Sequence, residues 1–338
     1  MPVDLKTMKE NECACGEVAG GEPSFSQNQS RLSVISLFSG CGGLDLGFVG
    51  GFEFLGQRYE KTGFNIIWAN EINPEAAETY RFNLGNHIIV GDIYNVMGNS
   101  PDYADVVLGG FPCQDVSVNG KMLGIKGKRT NLYTAIIDVV KRVKPKMFVA
   151  ENVGGLLLKK NEAFLKKIME DFNCLNYNVN LQVYSAADYG VPQTRERVFI
   201  VGSRFDLPAF SPPTPTYRRY ITARQAIQDL ERLPPDGAFS HIWSLANPSG
   251  DQGNRRLQAN RPGYTIRAEC HGHIQFHYSL PRRISMREAA RIQSFPDSFH
   301  FCSKLRQTER QIGNAVPPVL AWHMAIAVKK TLTGPNSI

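Results

Sequence analysis

The stretch LSVISLFSGCGGL (32–44) joins an apolar, β-branched run to a glycine-rich turn. The run predicts a buried strand, and such a turn lets the backbone approach a ligand closely before a helix begins. The glycine spacing is not GxGxxG, and no P-loop lysine follows it, which weakens the hypotheses of a dinucleotide or nucleoside triphosphate site. Taken alone, the same residues fit a plain tight turn equally well.

Six further runs of similar texture follow, with helix-like stretches between them. The seven runs cover residues 32–38, 65–70, 87–90, 104–109, 146–150, 178–184 and 197–202. Between the fourth and fifth runs, residues 131–143 have helical spacing, with Asn131 as the candidate N-cap and Pro145 beyond the end. This alternation predicts a doubly wound α/β domain with a mostly parallel sheet.

The composition of the chain excludes several classes of protein. Its 338 residues suffice for about two domains, and 42% are hydrophobic, enough to fill a core. The longest apolar stretch, 316–328, falls short of the roughly 18 residues of a membrane span, and charges near the start argue against a signal peptide. Seven cysteines without a CxxC pair indicate a reducing compartment, so we expect a cytoplasmic protein.

Two segments depart from the α/β texture. Residues 1–30 are polar and rich in Gly, Ser, Glu and Asn, which predicts a disordered leader. Residues 203–283 contain proline clusters, and positions 201–283 hold eleven arginines, no lysine and six acids, a balance of +5 within a formal net charge of +7. Arginine suits bidentate recognition of bases and phosphates, although a solvated surface on a structural domain explains the composition equally well.

Candidate functional residues follow the ends of the runs, where an open α/β sheet binds its ligands. Glu71 follows the second run and Asp92 the third, in positions where carboxylates accept hydrogen bonds from a ribose and from an adenine amino group. Cys113 follows the fourth run, after a proline, as a nucleophile would, and Glu151 follows the fifth. Plainer interpretations are a carboxylate that caps a helix and a cysteine that acts as a small hydrophobe.

Eight short motifs occur in a fixed order and carry a family resemblance. They are FSGCGGL (38–44), EIN (71–73), GD (91–92), GGFPCQDVS (109–117), ENV (151–153), QTRERV (193–198), ISMREAARIQSFPDSF (284–299) and QIGNAVPP (311–318). Together, over residues 32–331, they resemble the C5-cytosine DNA methyltransferases. The chain length is similar to that of the bacterial restriction–modification type.

The resemblance implies an architecture and a set of partners. The fold would be a doubly wound S-adenosylmethionine-dependent methyltransferase domain with a mostly parallel seven-stranded sheet, plus a smaller target-recognition domain. We expect boundaries at 1–30 for the leader, 31–202 for catalysis, 203–305 for target recognition and 306–333 for a segment that returns to the catalytic domain. The substrate would be double-stranded DNA, the protein a monomer without membrane contact, and a restriction endonuclease its companion in the same system.

The resemblance also implies roles for four catalytic residues. Cys113 would add its thiolate to C6 of a flipped cytosine, which makes C5 nucleophilic, and Glu151 would supply or share a proton near N3. Arg195 and Arg197, which share a face if they lie on a strand, would hold the cytosine O2 and the loop around Cys113. From spacing alone, the two arginines fit a surface strand edge.

Further site residues are implied in the same way. Twelve would bind the cofactor: Phe38, Gly40, Gly43, Leu44, Glu71, Ile72, Asp92, Ile93, Pro112, Leu132, Asn314 and Val316. The glycine-rich, basic stretch 118–131 would close over the active site. Eight residues would contact DNA: Ser117, Asn119, Lys121, Arg129, Arg267, His271, His273 and Gln275.

Several alternatives remain open from the sequence. Cys270, His271, His273 and His277 suggest a zinc site, but no CxxC accompanies them, and we expect no metal. An RNA substrate, such as tRNA, keeps the same chemistry. The presence of Cys113, Glu151 and Arg195 argues against a catalytically inactive DNA-binding module. A dehydrogenase lacks its GxGxxG motif here and leaves PCQ and ENV unexplained. The glycine-rich stretch 47–56 predicts a surface insertion beside the cofactor, and we assign Cys41 no catalytic role.

Overall fold

The computed structural model describes residues 31–112, 132–245, 255–268 and 275–334. Its strands are β1 (Leu32–Leu37), β2 (Phe52–Phe54), β3 (Gln57–Tyr59), β4 (Phe64–Glu71), β5 (Ile88–Val90), β6 (Val106–Gly110), β7 (Met147–Val153), β8 (Tyr177–Ser185), β9 (Gln193–Thr194), β10 (Glu196–Arg204) and β11 (Gly263–Tyr264). Seven of them form one sheet in the order β5-β4-β1-β6-β7-β10-β8.

The helices follow the strands in alternation over most of the first 170 residues. They are α1 (Gly43–Val49), α2 (Pro74–Leu84), α3 (Ile93–Val96), α4 (Tyr133–Val143), α5 (Glu162–Asn173), α6 (Ala223–Ile227), α7 (Met286–Ile292), α8 (Leu305–Asn314) and α9 (Pro318–Thr333). The predicted helix over 131–143 is confirmed in α4 (Tyr133–Val143), and Lys144 ends it in a left-handed conformation just before Pro145. The candidate N-cap, Asn131, lies outside the described residues.

The prediction of a doubly wound, mostly parallel seven-stranded sheet is confirmed. β1 pairs in parallel with β4 and β6, and β6 pairs in parallel with β7. β10 runs antiparallel to both of its neighbours, β7 and β8. Because parallel strands carry their carboxyl ends to the same edge, the residues after β1, β4, β5, β6 and β7 lie along one side of the sheet. We call this side the carboxyl edge.

Apolar side chains cover both faces of the sheet. One core joins the strands to α1 and α9, with Phe48 and Met324 fully buried. The other joins the opposite face to α4 and α5, with Ile136 and Phe172 fully buried. With both faces covered, the strands are held rigidly and only the residues at their ends remain available for ligands.

The stretch 47–56, predicted as a surface insertion beside the cofactor, comprises the end of α1 and the first strand of the β2–β3 hairpin. Gly47 lies inside α1, where a Cβ would meet the backbone and side chains of α9, so α1 and α9 pack closely at this point. The following β2–β3 hairpin buries Phe52 and Tyr59, whose rings stack at 5.0 Å. Trp322 of α9 meets the Tyr59 ring edge-on at 5.3 Å. Gly47 thus serves helix packing, whereas Leu55 and Gly56 at the tip of the hairpin are exposed.

A third apolar core lies outside the sheet and joins α6, α7 and α8. Capping boxes start α6 at Thr222 with Gln225 and α7 at Ser285 with Glu288. In each box, the first side chain accepts from a backbone N–H and the second returns the contact, which satisfies donors that a helix start leaves open. Within the described ranges, no helix is long and apolar enough to cross a membrane.

Candidate active site

The glycine-rich turn after β1 is fastened to the end of β4 by Glu71. The backbone N–H of Gly40 donates to Glu71 Oε2 at 3.0 Å, and the N–H of Asn73 donates to Oε1 at 2.8 Å. Phe38 and Gly40 both have a φ of 57°, a left-handed conformation that glycine adopts without strain. Burial raises the pKa of Glu71, and these N–H donors oppose that rise.

Glu71 and its neighbours fit a ribose and an adenine. Each Glu71 oxygen accepts one hydrogen bond from a backbone N–H. A second lone pair on each oxygen can accept from a ribose hydroxyl. The adjacent Ile72 side chain is 66% exposed, whereas Ile93 is buried. Among the described residues, no atom lies within 4 Å of the position that a Cβ on Gly40 would take. The turn therefore offers open space beside a carboxylate and an exposed apolar side chain, as an adenosine-type ligand requires.

Asp92 caps a helix and is still accessible. Its Oδ1 accepts from the backbone N–H of Tyr94 at 3.0 Å at the start of α3. The side chain is exposed, so the cap and a ligand contact are compatible at this position.

The C-terminal segment meets the glycine turn at Gly43. A Cβ there would stand 2.5 Å from the carbonyl oxygen of Val316, so only glycine allows this approach. Leu44 and Val316 are buried, and Asn314 is exposed at the end of α8. The structure thus places the C-terminal part of the expected cofactor site against the glycine turn, which carries Phe38 and Gly40.

Cys41 lies inside the glycine turn, and its thiol is unreactive for two reasons. Its thiol is 2% exposed, and burial raises its pKa to about 12. A thiol with that pKa holds almost no thiolate near neutral pH and is a poor nucleophile.

Glu151 sits at the carboxyl edge of β7 over a glycine of the neighbouring strand. Gly110 of β6 pairs in register with Glu151, and a Cβ on Gly110 would lie 3.2 Å from Glu151 Oε2. A side chain at position 110 would therefore press on the carboxylate. Glycine leaves the space in which the Glu151 carboxyl group lies.

Arg197 is the cation beside Glu151. Arg197 Nε lies 2.8 Å from Glu151 Oε1, and both side chains are more than nine-tenths buried. The Nε–H is not aligned on that oxygen as in a full hydrogen bond, so the contact is chiefly electrostatic. Burial raises the pKa of Glu151 to about 7, although the charge of Arg197 works in the opposite direction.

Arg195 does not join this pair. It lies between β9 and β10 and is 1% exposed. Its guanidinium donates to the carbonyl oxygens of Ile266 at 2.7 Å, Gly313 at 2.7 Å and Ala315 at 3.1 Å. The described contacts of Arg195 thus join the start of β10 to Ile266 of the third core and to the C-terminal end of α8.

Asn152 links β7 to Phe111, the residue that follows β6. Its Nδ2 donates to the carbonyl oxygen of Phe111 at 3.1 Å, and Asn152 is 2% exposed. Pro112 and Leu132, on either side of the undescribed stretch, are half-buried. The remaining predicted residues of this edge and of the DNA set lie outside the described residues: Cys113, Ser117, Asn119, Lys121, Arg129, His271 and His273.

The two described residues of the predicted DNA set differ in their surroundings. Gln275 is 4% exposed, and its Nε2 donates to the carbonyl oxygen of Tyr264 at 3.1 Å. This position turns Gln275 inward, so we do not carry it forward as a DNA contact. Arg267 is half-buried. Within the parts of the chain that the structure covers, no cluster of three or more metal-binding side chains is present.

The family of the chain follows from comparison with known proteins. The model of the C-5 cytosine-specific DNA methylase family matches residues 32–246 and 242–330. The chain belongs to this family. The resemblance seen in the sequence motifs is therefore confirmed, and the protein is a DNA cytosine methyltransferase.

Relatives of this DNA methylase are similar along most of their length. The type II methyltransferase M.NgoFVII of Neisseria gonorrhoeae is 39% identical over 87% of this chain and 86% of the relative. M.MthTI of Methanothermobacter thermautotrophicus is 35% identical over 90% of this chain and 99% of the relative. A DNA modification methyltransferase from an E. coli prophage has a TM-score of 0.68 at 24% identity, covering 89% of this chain and 99% of its own. At this level of identity, the similarity to the prophage protein shows the fold alone.

Gly110 and Asn152 belong to the site but carried no individual signal in the sequence. Both lie in the motifs that contain Cys113 and Glu151. Their roles depend on which residues the strand register places beside them. Gly110 matters because it faces Glu151, and Asn152 because it reaches Phe111. The register between β6 and β7 is the information that would have identified them.

Proposed function

We propose that this DNA methylase transfers the methyl group of S-adenosylmethionine to C5 of a cytosine extruded from duplex DNA, through a transient bond between Cys113 and C6. The observation that carries the proposal is that the buried carboxyl group of Glu151, which lies beside Arg197, has a pKa of about 7. A carboxyl group with that pKa can both give and take a proton near neutral pH.

Cys113 and Glu151 would act together on the ring. Addition of the Cys113 thiolate to C6 forms an S–C bond and pushes electron density toward C5 and N3, where Glu151 supplies a proton. Arg197 donates toward the cytosine O2 and stabilises charge on the ring. After C5 has acquired its methyl group, loss of the C5 proton re-forms the double bond and expels the Cys113 sulfur. Because these atoms are covered inside a duplex, the base must leave the stack, at a cost of a few kcal/mol.

Arg195 has a positioning role in this proposal, not a contact with the base. Its three carbonyl partners hold residues 266, 313 and 315 against the start of β10. That contact fixes the strand on which Arg197 lies, and so the distance from Arg197 to Glu151.

The cofactor residues divide by the part of the ligand that they would hold. When bound, S-adenosylmethionine supplies the methyl group. Glu71 accepts from the ribose hydroxyls, Ile72 and Ile93 flank the adenine, and Asp92 accepts from its amino group. The remaining residues surround the ligand: Phe38, Gly40, Gly43, Leu44, Pro112, Leu132, Asn314 and Val316.

Sequence recognition would belong to residues 203–305, with 306–333 returning to the catalytic domain of residues 31–202. The DNA contacts that we retain are Ser117, Asn119, Lys121, Arg129, Arg267, His271 and His273. We further propose that the protein acts as a monomer on cytoplasmic DNA, which it protects from a restriction endonuclease of the same system. The names of type II relatives support this role.

Transfer of a labelled methyl group tests the proposal. Duplex DNA and tRNA are incubated separately with methyl-labelled S-adenosylmethionine and wild-type protein. We expect label in the duplex and protection of particular cytosines in bisulfite sequencing. Label in tRNA but not in DNA would overturn the choice of substrate, and label at a position other than C5 would overturn the chemistry.

A further inference from the structure

The segment that follows Glu151 exposes two consecutive leucines. In GGLLLKKN (154–161), Leu156 is fully buried, whereas Leu157 is 37% and Leu158 is 40% exposed. Lys159 and Lys160 come next, and both are exposed. Two adjacent leucines at the surface, followed by two lysines, form an apolar patch with a cationic border.

The exposure of these leucines is built into the local structure. The carbonyl oxygen of Gly155 accepts from the backbone N–H of Leu158 at 3.3 Å and from Asn161 Nδ2 at 2.7 Å. The N–H of Asn161 in turn donates to the carbonyl oxygen of Leu158 at 2.7 Å. With Leu156 anchored in the core and Asn161 buried, the chain between them is held in place with its two leucines outward.

The patch adjoins the proposed base pocket. Val153, the last residue of β7, pairs in register with Arg197, and the patch begins four residues later. A Cβ on Gly154 would lie 3.5 Å from Glu196 Oε2, so the segment passes beside the start of β10. The segment that carries Leu157 and Leu158 therefore leaves the carboxyl edge at the end of β7, the strand that carries Glu151.

We propose that Leu157 and Leu158 are a DNA-contact site, in which they pack on the apolar sugar and base faces beside the extruded cytosine while Lys159 meets a phosphate. Removing a base from the stack exposes the faces of its neighbours, and apolar wedges are how proteins cover such faces. We place the phosphate at Lys159 because the Glu196 carboxylate lies beside Gly154 and would repel an anion there. The inference rests on the proposed function, because that function brings a duplex to this edge.

The test compares a patch variant with matched controls at the opposite edge of the sheet. The variants are Leu157→Ser with Leu158→Ser, and Lys159→Ala. Phe205→Ser is the apolar control: Phe205 is 62% exposed and follows Arg204, whose N–H donates to Lys146 just before β7 begins. Lys330→Ala is the charge control, since the neighbouring Lys329 reaches Gly63 before β4.

DNA affinity is measured by fluorescence anisotropy, on a labelled duplex containing a site that bisulfite sequencing has shown the wild type to methylate. We expect the leucine variant to bind at least about tenfold more weakly, because the patch would lose buried apolar area. We expect Lys159→Ala to reduce the slope of log affinity against log salt by about one. Both controls keep wild-type binding, and all variants keep wild-type affinity for S-adenosylhomocysteine, which checks their folding.

The outcomes separate this inference from the proposed function. Wild-type affinity in the leucine variant, with methylation of DNA intact in the wild type, overturns the inference alone. A wild type that methylates no duplex overturns the proposed function and the inference with it. Loss of self-association in the leucine variant, with unchanged DNA affinity, would make a second copy of the chain the partner and would also overturn the inference.

Discussion

Glu151 Oε2 lies 3.2 Å from the point at which a Cβ on Gly110 would stand, because the two residues face each other across β6 and β7. That separation is tighter than an ordinary contact, and the Cβ would be attached to a strand that cannot move away easily. The carboxyl group of Glu151 therefore depends on the absence of a side chain one strand away.

We predict that Gly110→Ala displaces the Glu151 carboxyl group and lowers kcat for methyl transfer by about tenfold or more, because a catalytic group acts only when it is held close to its productive geometry. Affinity for S-adenosylhomocysteine stays close to that of the wild type. Gly98→Ala is the matched control, because no described atom lies within 4 Å of its Cβ position. Equal turnover in the two variants would contradict the packing relationship.

The pairing of Arg197 with Glu151 predicts a shift in pH dependence. Arg197 lowers the pKa of Glu151, which burial has raised to about 7, so removal of the positive charge must raise that pKa further. In Arg197→Met, Glu151 keeps its proton to higher pH. The alkaline limb of the pH profile of the single-turnover rate therefore shifts to higher pH, while the maximal rate falls. Arg197→Lys keeps a positive charge and leaves the limb nearer its wild-type position. A limb that does not move in the Met variant would show that Glu151 is not the titrating group.

Glu71 provides a separate test of the cofactor site. In Glu71→Ala, the N–H groups of Gly40 and Asn73 lose their acceptor, and the ribose would lose its own. We expect calorimetry to give affinity for S-adenosylhomocysteine weaker by about tenfold or more, since charge-assisted hydrogen bonds contribute roughly 1.5–3 kcal/mol each. Glu78→Ala, which removes an exposed carboxylate from α2, is the control. Wild-type affinity in Glu71→Ala would remove Glu71 from the site.

Cys41 and Cys174 allow a test by alkylation. The Cys41 thiol is buried with a pKa of about 12, whereas Cys174 is exposed. With iodoacetamide at pH 8, we expect peptide mapping of the folded protein to find Cys174 modified and Cys41 untouched, and Cys41→Ala to retain turnover. Rapid modification of Cys41, or loss of activity in that variant, would contradict its assignment as a packing residue.

The sequence predicted the sheet well because its strands are buried on both faces. Such strands appear as uninterrupted apolar runs, and each of the seven runs corresponds to a strand of the main sheet. The β2–β3 hairpin was not predicted, because its two strands have only three residues each. Short strands give too few alternations to be distinguished from a turn.

The site could be predicted only in part, because its geometry depends on contacts between distant residues. The strand ends identified Glu71 and Glu151, but the pairing of Glu151 with Arg197 follows from the antiparallel register of β10. The arginine-rich composition of 201–283 overstated the charge available to DNA. Arg282 pairs with Glu288, and Arg283 is 1% exposed and lies over the Phe276 ring at 4.3 Å.

The central claim is the transient bond between the Cys113 sulfur and C6 of an extruded cytosine. Duplex DNA that carries 5-fluorocytosine at the methylated position, supplied with S-adenosylmethionine, tests it most directly. The normal reaction ends when a base removes the C5 proton, and a fluorine at C5 cannot be removed in this way. We predict a denaturant-stable protein–DNA adduct whose mass spectrum places the link on Cys113 and which Cys113→Ala does not form. A wild-type enzyme that methylates unmodified DNA yet forms no adduct with the fluorinated duplex, or forms it through another residue, would contradict the account.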